Sequence, residues 1–136
     1  MGGSVIDQIV KTVYARYKNS TWPVILYSNG NLTCQGPGYG PWGTEKVHIS
    51  SNVKNVWAAG TAKGPAILYQ SENSMEAMLL FWNTGKEVAG GHVCDGHPMK
   101  VRLEPHRYGV VVYVELPNSL VRVEIDGWGH FKVERK

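Results

Sequence analysis

The sequence predicts an all-β fold, an antiparallel β-sandwich with little helix, on three observations. From Val101 onward apolar and polar residues alternate, in Val101-Arg102-Leu103-Glu104, in Val110 to Leu116 and in Leu120 to Ile125. Alternation places one apolar row and one polar row on opposite faces of a strand. Asp126-Gly127 then separates the last of these segments from Phe131-Lys132-Val133-Glu134, and Asp-Gly is a preferred hairpin dipeptide because it tolerates positive φ. Finally, Gly 16 and Pro 7 supply the turns a sheet protein needs. With 136 residues the chain is long enough for a real core and is read as a single domain, residues 1–136, without internal repeat or linker.

Taken in order, residues 5–18 fit two patterns. Ile6, Ile9, Val10, Val13, Tyr14 and Tyr17 have helical spacing. Lys11 to Lys18 is also rich in Val, Thr and Tyr, which favour strands. A short helical or irregular lead-in followed by a strand is expected. Pro23 to Tyr27 reads as a strand, because proline is tolerated at a first or edge position. Ser28-Asn29-Gly30-Asn31 is a turn from which Leu32-Thr33-Cys34 returns. Gly36 to Gly43 is a loop by composition. Lys46 to Ser50 and Asn52 to Ala59 are strands, and Gly60 to Pro65 turns the chain.

Ala66 to Gln70 and Met75 to Trp82 are harder. Met75, Met78, Leu79 and Trp82 have helical spacing. A hairpin through Glu72-Asn73-Ser74 instead puts Met78, Leu80 and Trp82 on one face and Ala77, Leu79 and Phe81 on the other. The hairpin is preferred because the flanking segments are β-like. Asn83 to Pro98 is then expected to be a long glycine-containing loop, and loops of that length are often functional.

Composition excludes some function classes. The net charge of +3 is mild and its basic residues are scattered, whereas nucleic-acid binding leaves a dense basic footprint; no nucleic-acid partner is expected. No apolar run approaches the roughly 18 residues of a transmembrane span, and no signal peptide is visible. Met1-Gly2 lacks the Ser or Thr a myristoylation start wants at position 6, which is Ile6. The sequons at Asn19 and Asn31 matter only in a secreted chain. Cys34 and Cys94 would pair only in an oxidising compartment, and free buried thiols are the expectation.

Three constellations have catalytic or metal-binding chemistry within reach. His92, Cys94 and His97 are the candidate metal ligands, since imidazole and thiolate suit zinc. No second Cys/His pair follows at finger spacing, so a polar loop that happens to hold two histidines is the plainer reading. A Cys94–His97 nucleophile pair would need an orienting group and a transition-state donor that the sequence does not display. Glu115 and Glu124 resemble an acid–base pair, but Arg122 beside Glu124 fits a solvated strand face better. Gly36 to Gly43 lacks the Lys-Ser/Thr ending of a phosphate loop. No enzyme activity and no cofactor are expected.

Aromatic residues give the other candidate site. The chain has 5 Trp and 7 Tyr against 2 Phe, and Trp and Tyr combine an apolar body with a polar tip. Tyr39 and Trp42 fall in the Gly/Pro loop, Trp82 closes the Met75 to Trp82 strand, and Trp128 follows the Asp-Gly turn. Aromatics at loop tips insert into a lipid interface or stack on a sugar. Tyr39, Trp42, Trp82 and Trp128 are therefore the candidate ligand contacts, with core packing as the competing role.

Asn19-Ser20-Thr21 precedes Trp22 and Val24-Ile25-Leu26-Tyr27. Gly60-Thr61-Ala62-Lys63-Gly64 leads into Ala66-Ile67-Leu68-Tyr69, and Leu79-Leu80-Phe81-Trp82-Asn83 follows. In this order the three stretches resemble the early turn, the entry into the central hairpin and the return strand of the small β-sandwich cytolysins, the aegerolysins and the actinoporins. The net charge of +3 departs from the acidic character common among aegerolysins. The resemblance implies a two-sheet sandwich that binds membrane lipid, with a protein partner that forms a pore, and no catalysis. A non-enzymatic lipid- or glycan-binding protein is thus the first expectation. A structural or interaction module of a virion or toxin complex, pairing through a strand edge, is the alternative.

Overall fold

A computed structural model describes residues 8–136. The described residues form twelve strands and no helix, arranged as three four-stranded antiparallel meanders. The first sheet has the order β1 (Ile9–Tyr17), β2 (Ser20–Tyr27), β3 (Leu32–Gln35), β4 (Lys46–Ser50). The middle sheet has β5 (Asn55–Thr61), β6 (Gly64–Gln70), β7 (Ser74–Leu80), β8 (Glu87–Asp95). The last sheet has β9 (Lys100–His106), β10 (Gly109–Leu116), β11 (Ser119–Asp126), β12 (Phe131–Arg135). The all-β antiparallel sandwich expected from alternation is what forms, but with three layers where the cytolysin resemblance implies two sheets.

Two hydrophobic cores account for the layering. Ala15, Trp22, Val24, Leu26, Leu32 and Cys34 of the first sheet pack with Val56, Ile67, Tyr69 and Leu80 of the middle sheet. Ala66, Leu68, Met75, Ala77 and Leu79 of the middle sheet pack with Val110, Val112, Val114, Val121, Val123 and Ile125 of the last. Odd and even residues of β6 and β7 thus enter different cores, and every residue of β6 is buried. A strand covered on both faces has no need of a polar row. That is why its sequence reads as a continuous apolar run. The hairpin reading of residues 66–80 holds, with Met78 and Leu80 on one face and Ala77 and Leu79 on the other.

The prolines sit where a neighbour is missing. Pro23 pairs with Tyr14 of β1, but β3 reaches only Val24 to Leu26 on the other side. Pro65 likewise lies just beyond the reach of β7, and Pro105 lies on β9, an edge strand of the last sheet. Each therefore lacks a backbone donor at a place that does not need one.

Two expectations need correction. Residues 83–98 are not a long loop, because β8 occupies Glu87–Asp95 and pairs with β7 through two register shifts. Its glycines serve close packing rather than a turn. A Cβ on Gly91 would lie 2.9 Å from the Phe131 ring, and one on Gly90 would lie 3.1 Å from the Ala77 carbonyl oxygen. The β5–β6 turn shrinks from residues 60–65 to Ala62-Lys63, since Thr61 pairs with Gly64. The strand expected within residues 5–18 forms as β1, starting at Ile9; the expected lead-in falls mostly outside the described residues.

Strands run up and down in turn, so alternate connections gather at opposite ends. One end collects the β1–β2 turn, the 36–45 loop, Ala62-Lys63, residues 81–86, Arg107-Tyr108 and residues 127–130. Hydrogen bonds tie these connections together: the Ala62 amide donates to the Arg107 carbonyl at 3.0 Å, the Trp82 amide to Lys63 at 2.8 Å, and the Gly127 amide to Tyr108 at 2.8 Å.

Candidate functional site

This end of the stack holds three of the four aromatic residues singled out by sequence as exposed or half-buried groups. Trp128 is 64% exposed on the β11–β12 connection. Its ring meets Tyr108 edge-on at 5.2 Å, and the Lys63 ammonium lies 5.6 Å from the centroid of each ring. Gly127 leaves room for the Lys63 stem, because a Cβ there would sit 2.4 Å from Lys63 Cγ. The Arg107 guanidinium covers the Tyr108 ring at 5.1 Å. On the other side of Lys63, Trp82 is half-buried beside Phe81 and Tyr39, with ring centroids 5.8 and 6.1 Å away. Tyr39 is 45% exposed, and its hydroxyl hydrogen-bonds the Ser20 hydroxyl.

Asp126 holds the loop that presents Trp128. Its carboxylate accepts from the backbone amides of Trp128 at 2.9 Å and His130 at 3.2 Å, and meets the His130 ring at 2.8 Å. Desolvation raises the acid's pKa, but these hydrogen bonds and the His130 charge outweigh it and hold the carboxyl below its ordinary range. Gly129, at φ 89°, closes the loop. The Asp-Gly signal was legible in the sequence; that the aspartate would become an anchor for a tryptophan was not.

Trp42 is a correction. It is 4% exposed, its indole N–H donates to the Glu45 carbonyl at 3.0 Å, and its ring fills the first core. Gly36 and Gly85 lie against the ring, where a Cβ would come within 2.7 and 2.8 Å. The Gly/Pro loop is thus a lid folded inward over Trp42, while Tyr39 of the same loop faces outward. Loop composition did not distinguish the two.

The metal candidates are also separated. Val93 and Cys94 are both buried at the register shift opposite Met75 and Glu76, so Cys94 enters the second core while His92 stays on the surface. His92 contacts Glu76 at 3.1 Å and Asp95 at 3.2 Å, and His97 instead meets Gln70. Among the described residues no three His, Cys, Asp or Glu side chains are grouped to hold a metal ion. Among the described residues no hydrogen bond joins Cys94 to His97: the thiol lies in the core, while His97 is exposed and meets Gln70. Both cysteines are free and buried, in different cores. Burial pushes the Cys34 thiol up to about 12 and raises that of Cys94 as well. Glu124 pairs with Arg122 at 2.9 Å on the outer face of the last sheet, as a solvated face would have it.

Sequence reasoning missed Lys63, Arg107 and Tyr108, and beside them Arg16 and Lys18. Each lies in or beside a tight turn. The usable signal was topological: in a continuous meander, every second turn reaches the same end.

No protein-family model matches the chain, and no significant match was found among curated proteins or among solved structures. The geometry alone therefore defines the class, a three-layer stack of antiparallel β-meanders with an aromatic and basic end.

Proposed function

We propose that the protein is a non-enzymatic membrane-binding protein that docks end-on to anionic lipid through this end. The observation that carries the reading is Trp128, mostly exposed yet held by an ordered loop, with Lys63 beside its ring and Arg107 over the neighbouring Tyr108 ring. Trp and Tyr favour the headgroup level of a bilayer, and each Lys or Arg near an anionic surface contributes about 1 kcal/mol. Arg16, Lys18, Lys63 and Arg107 lie at this end and, among the described residues, form no ion pair within the protein. Among the described residues no helix is long and apolar enough to cross a membrane, and surface docking requires none.

Co-sedimentation with phosphatidylcholine vesicles, with and without phosphatidylglycerol, tests the reading. Binding is expected with the anionic vesicles, weakened by Trp128→Ala and by high salt. Protein that stays in the supernatant with every vesicle would sink it, and retention on a glycan matrix instead would favour a sugar as ligand.

A further inference from the structure

We propose that the groove between the end of β1 and the β9–β10 turn is a binding site for a phosphate monoester. Arg16, Lys18, His106 and Arg107 line it together with Gly60 and Pro105. No acidic side chain lines the groove. Cations on the outer face of the last sheet are treated differently. There Arg102, Arg122 and Lys132 each face a glutamate within 4 Å, whereas Arg16, Lys18 and Arg107 have no such partner among the described residues.

What these three cations do have is a ring beneath them. Arg16 lies 5.0 Å from the Tyr14 centroid, Lys18 5.5 Å from Tyr17 and Arg107 5.1 Å from Tyr108. A ring face holds a guanidinium in place without neutralising it, and leaves its N–H edge free to donate. The edge of an arginine matches two oxygens of a phosphate, and two arginines with a lysine match the double negative charge of a monoester.

The backbone that carries these groups is set before a ligand arrives. β1 crosses β5 so closely that a Cβ on Gly60 would lie 2.2 Å from the Arg16 carbonyl oxygen. The Ala62 amide pins the β9–β10 turn through the Arg107 carbonyl at 3.0 Å. Lys18 itself holds φ 52°, a conformation rare outside glycine, at the tip of its turn. Like charges gathered on a rigid frame repel one another until an anion joins them, and a preformed site binds with less loss of chain freedom.

A phosphate monoester reaches the groove either as a lipid headgroup or on a soluble molecule. The lipid source rests on the membrane-binding reading above; the site itself does not. The first arm titrates isotopically labelled protein with glycerol 3-phosphate, following backbone amides by NMR, with glycerol as control. Saturable shifts at Lys18, Gly60 and Arg107 are expected with the phosphate alone. The Arg16→Gln/Arg107→Gln double variant should weaken that binding at least tenfold while melting as the parent does. Absent shifts at these amides, or equal binding by the double variant, would overturn the site. The Arg16→Lys/Arg107→Lys pair, which keeps charge but loses the fork, should fall between the two.

The second arm uses phosphatidylcholine vesicles with and without phosphatidic acid. Binding only with phosphatidic acid, lost in the double glutamine variant, assigns the lipid source. Binding of glycerol 3-phosphate without vesicle binding keeps the groove and removes the membrane reading. Vesicle binding that needs Trp128 but neither arginine, with no glycerol 3-phosphate binding, removes the groove and leaves the membrane reading standing.

Discussion

Asp126 and Trp128 act as one device at the scale of single residues, and pH separates their roles. The Asp126 carboxyl titrates below its ordinary value of 3.8 in the folded protein. A lowered folded pKa favours the native loop above the unfolded pKa, and that contribution is lost as pH falls through the folded value. Trp128 emission should therefore hold steady from neutral pH to about 4 and change only below it. Asp126→Ala should remove that acid step and mobilise the loop already at neutral pH, read from the same fluorescence; an unchanged acid step would refute the anchoring role. Gly60 makes a steric prediction. Gly60→Ala forces a methyl against the Arg16 backbone, which cannot move aside as a flexible side chain would, and should cost about 1–3 kcal/mol in a urea melt. The thiols supply a third. Cys34 and Cys94 are buried and hard to ionise, so a thiol reagent should label neither in the native protein and both after unfolding. Native labelling of either at the rate of a free peptide thiol would contradict the burial described.

Among elements, alternation worked where one face meets water and failed where neither does. β9 to β12 were legible because the outer face of the last sheet carries Arg102, Glu104, Arg122, Glu124, Lys132 and Glu134 opposite a valine-rich inner face. β6 carried no such contrast, since both its faces are covered, and β7 has Met78 and Leu80 on its first-core face, so periodicity left helix and hairpin open there. β8 was hidden by Gly90 and Gly91, whose composition signals a loop but whose role is to admit Ala77 and Phe131. The 36–45 loop shows the converse. Its composition was read correctly as a loop, but the inward turn of Trp42 depends on Gly36 and Gly85, which are 49 positions apart in the chain and adjacent in the fold. Trp42→Ala should cost about 3–5 kcal/mol as a core truncation, whereas Trp128→Ala should change stability by no more than about 0.5 kcal/mol. Paired thermal melts of the two variants check the contrast, and equal losses would mean that one tryptophan is misplaced.

The middle sheet couples the whole molecule, because it supplies one wall of each core. Ile67→Ala, facing the first sheet, and Leu68→Ala, facing the last, should each cost about 2–5 kcal/mol and should each leave a single cooperative transition. Tryptophan fluorescence, to which Trp22 and Trp42 of the first core contribute, and far-ultraviolet circular dichroism should then give the same midpoint. Separated midpoints would show that the outer sheets unfold independently. The meander also decides where function can sit. By itself the sequence determined most of the strands and turns and the all-β class, because φ preference and face-to-face alternation are local properties of a few neighbouring residues. It also marked Tyr39, Trp42, Trp82 and Trp128 as candidate contacts, of which Tyr39 and Trp128 are exposed and Trp82 half-buried. Only the tertiary structure decided that there are three layers, that Trp42 and Cys94 are core, that His92 and Cys94 part company at a bulge, and that Arg16, Lys63, Arg107 and Tyr108 join the aromatic end. Those outcomes depend on which sheet covers which face and on which turns reach the same end, and contacts between residues tens of positions apart leave no periodic trace in the chain.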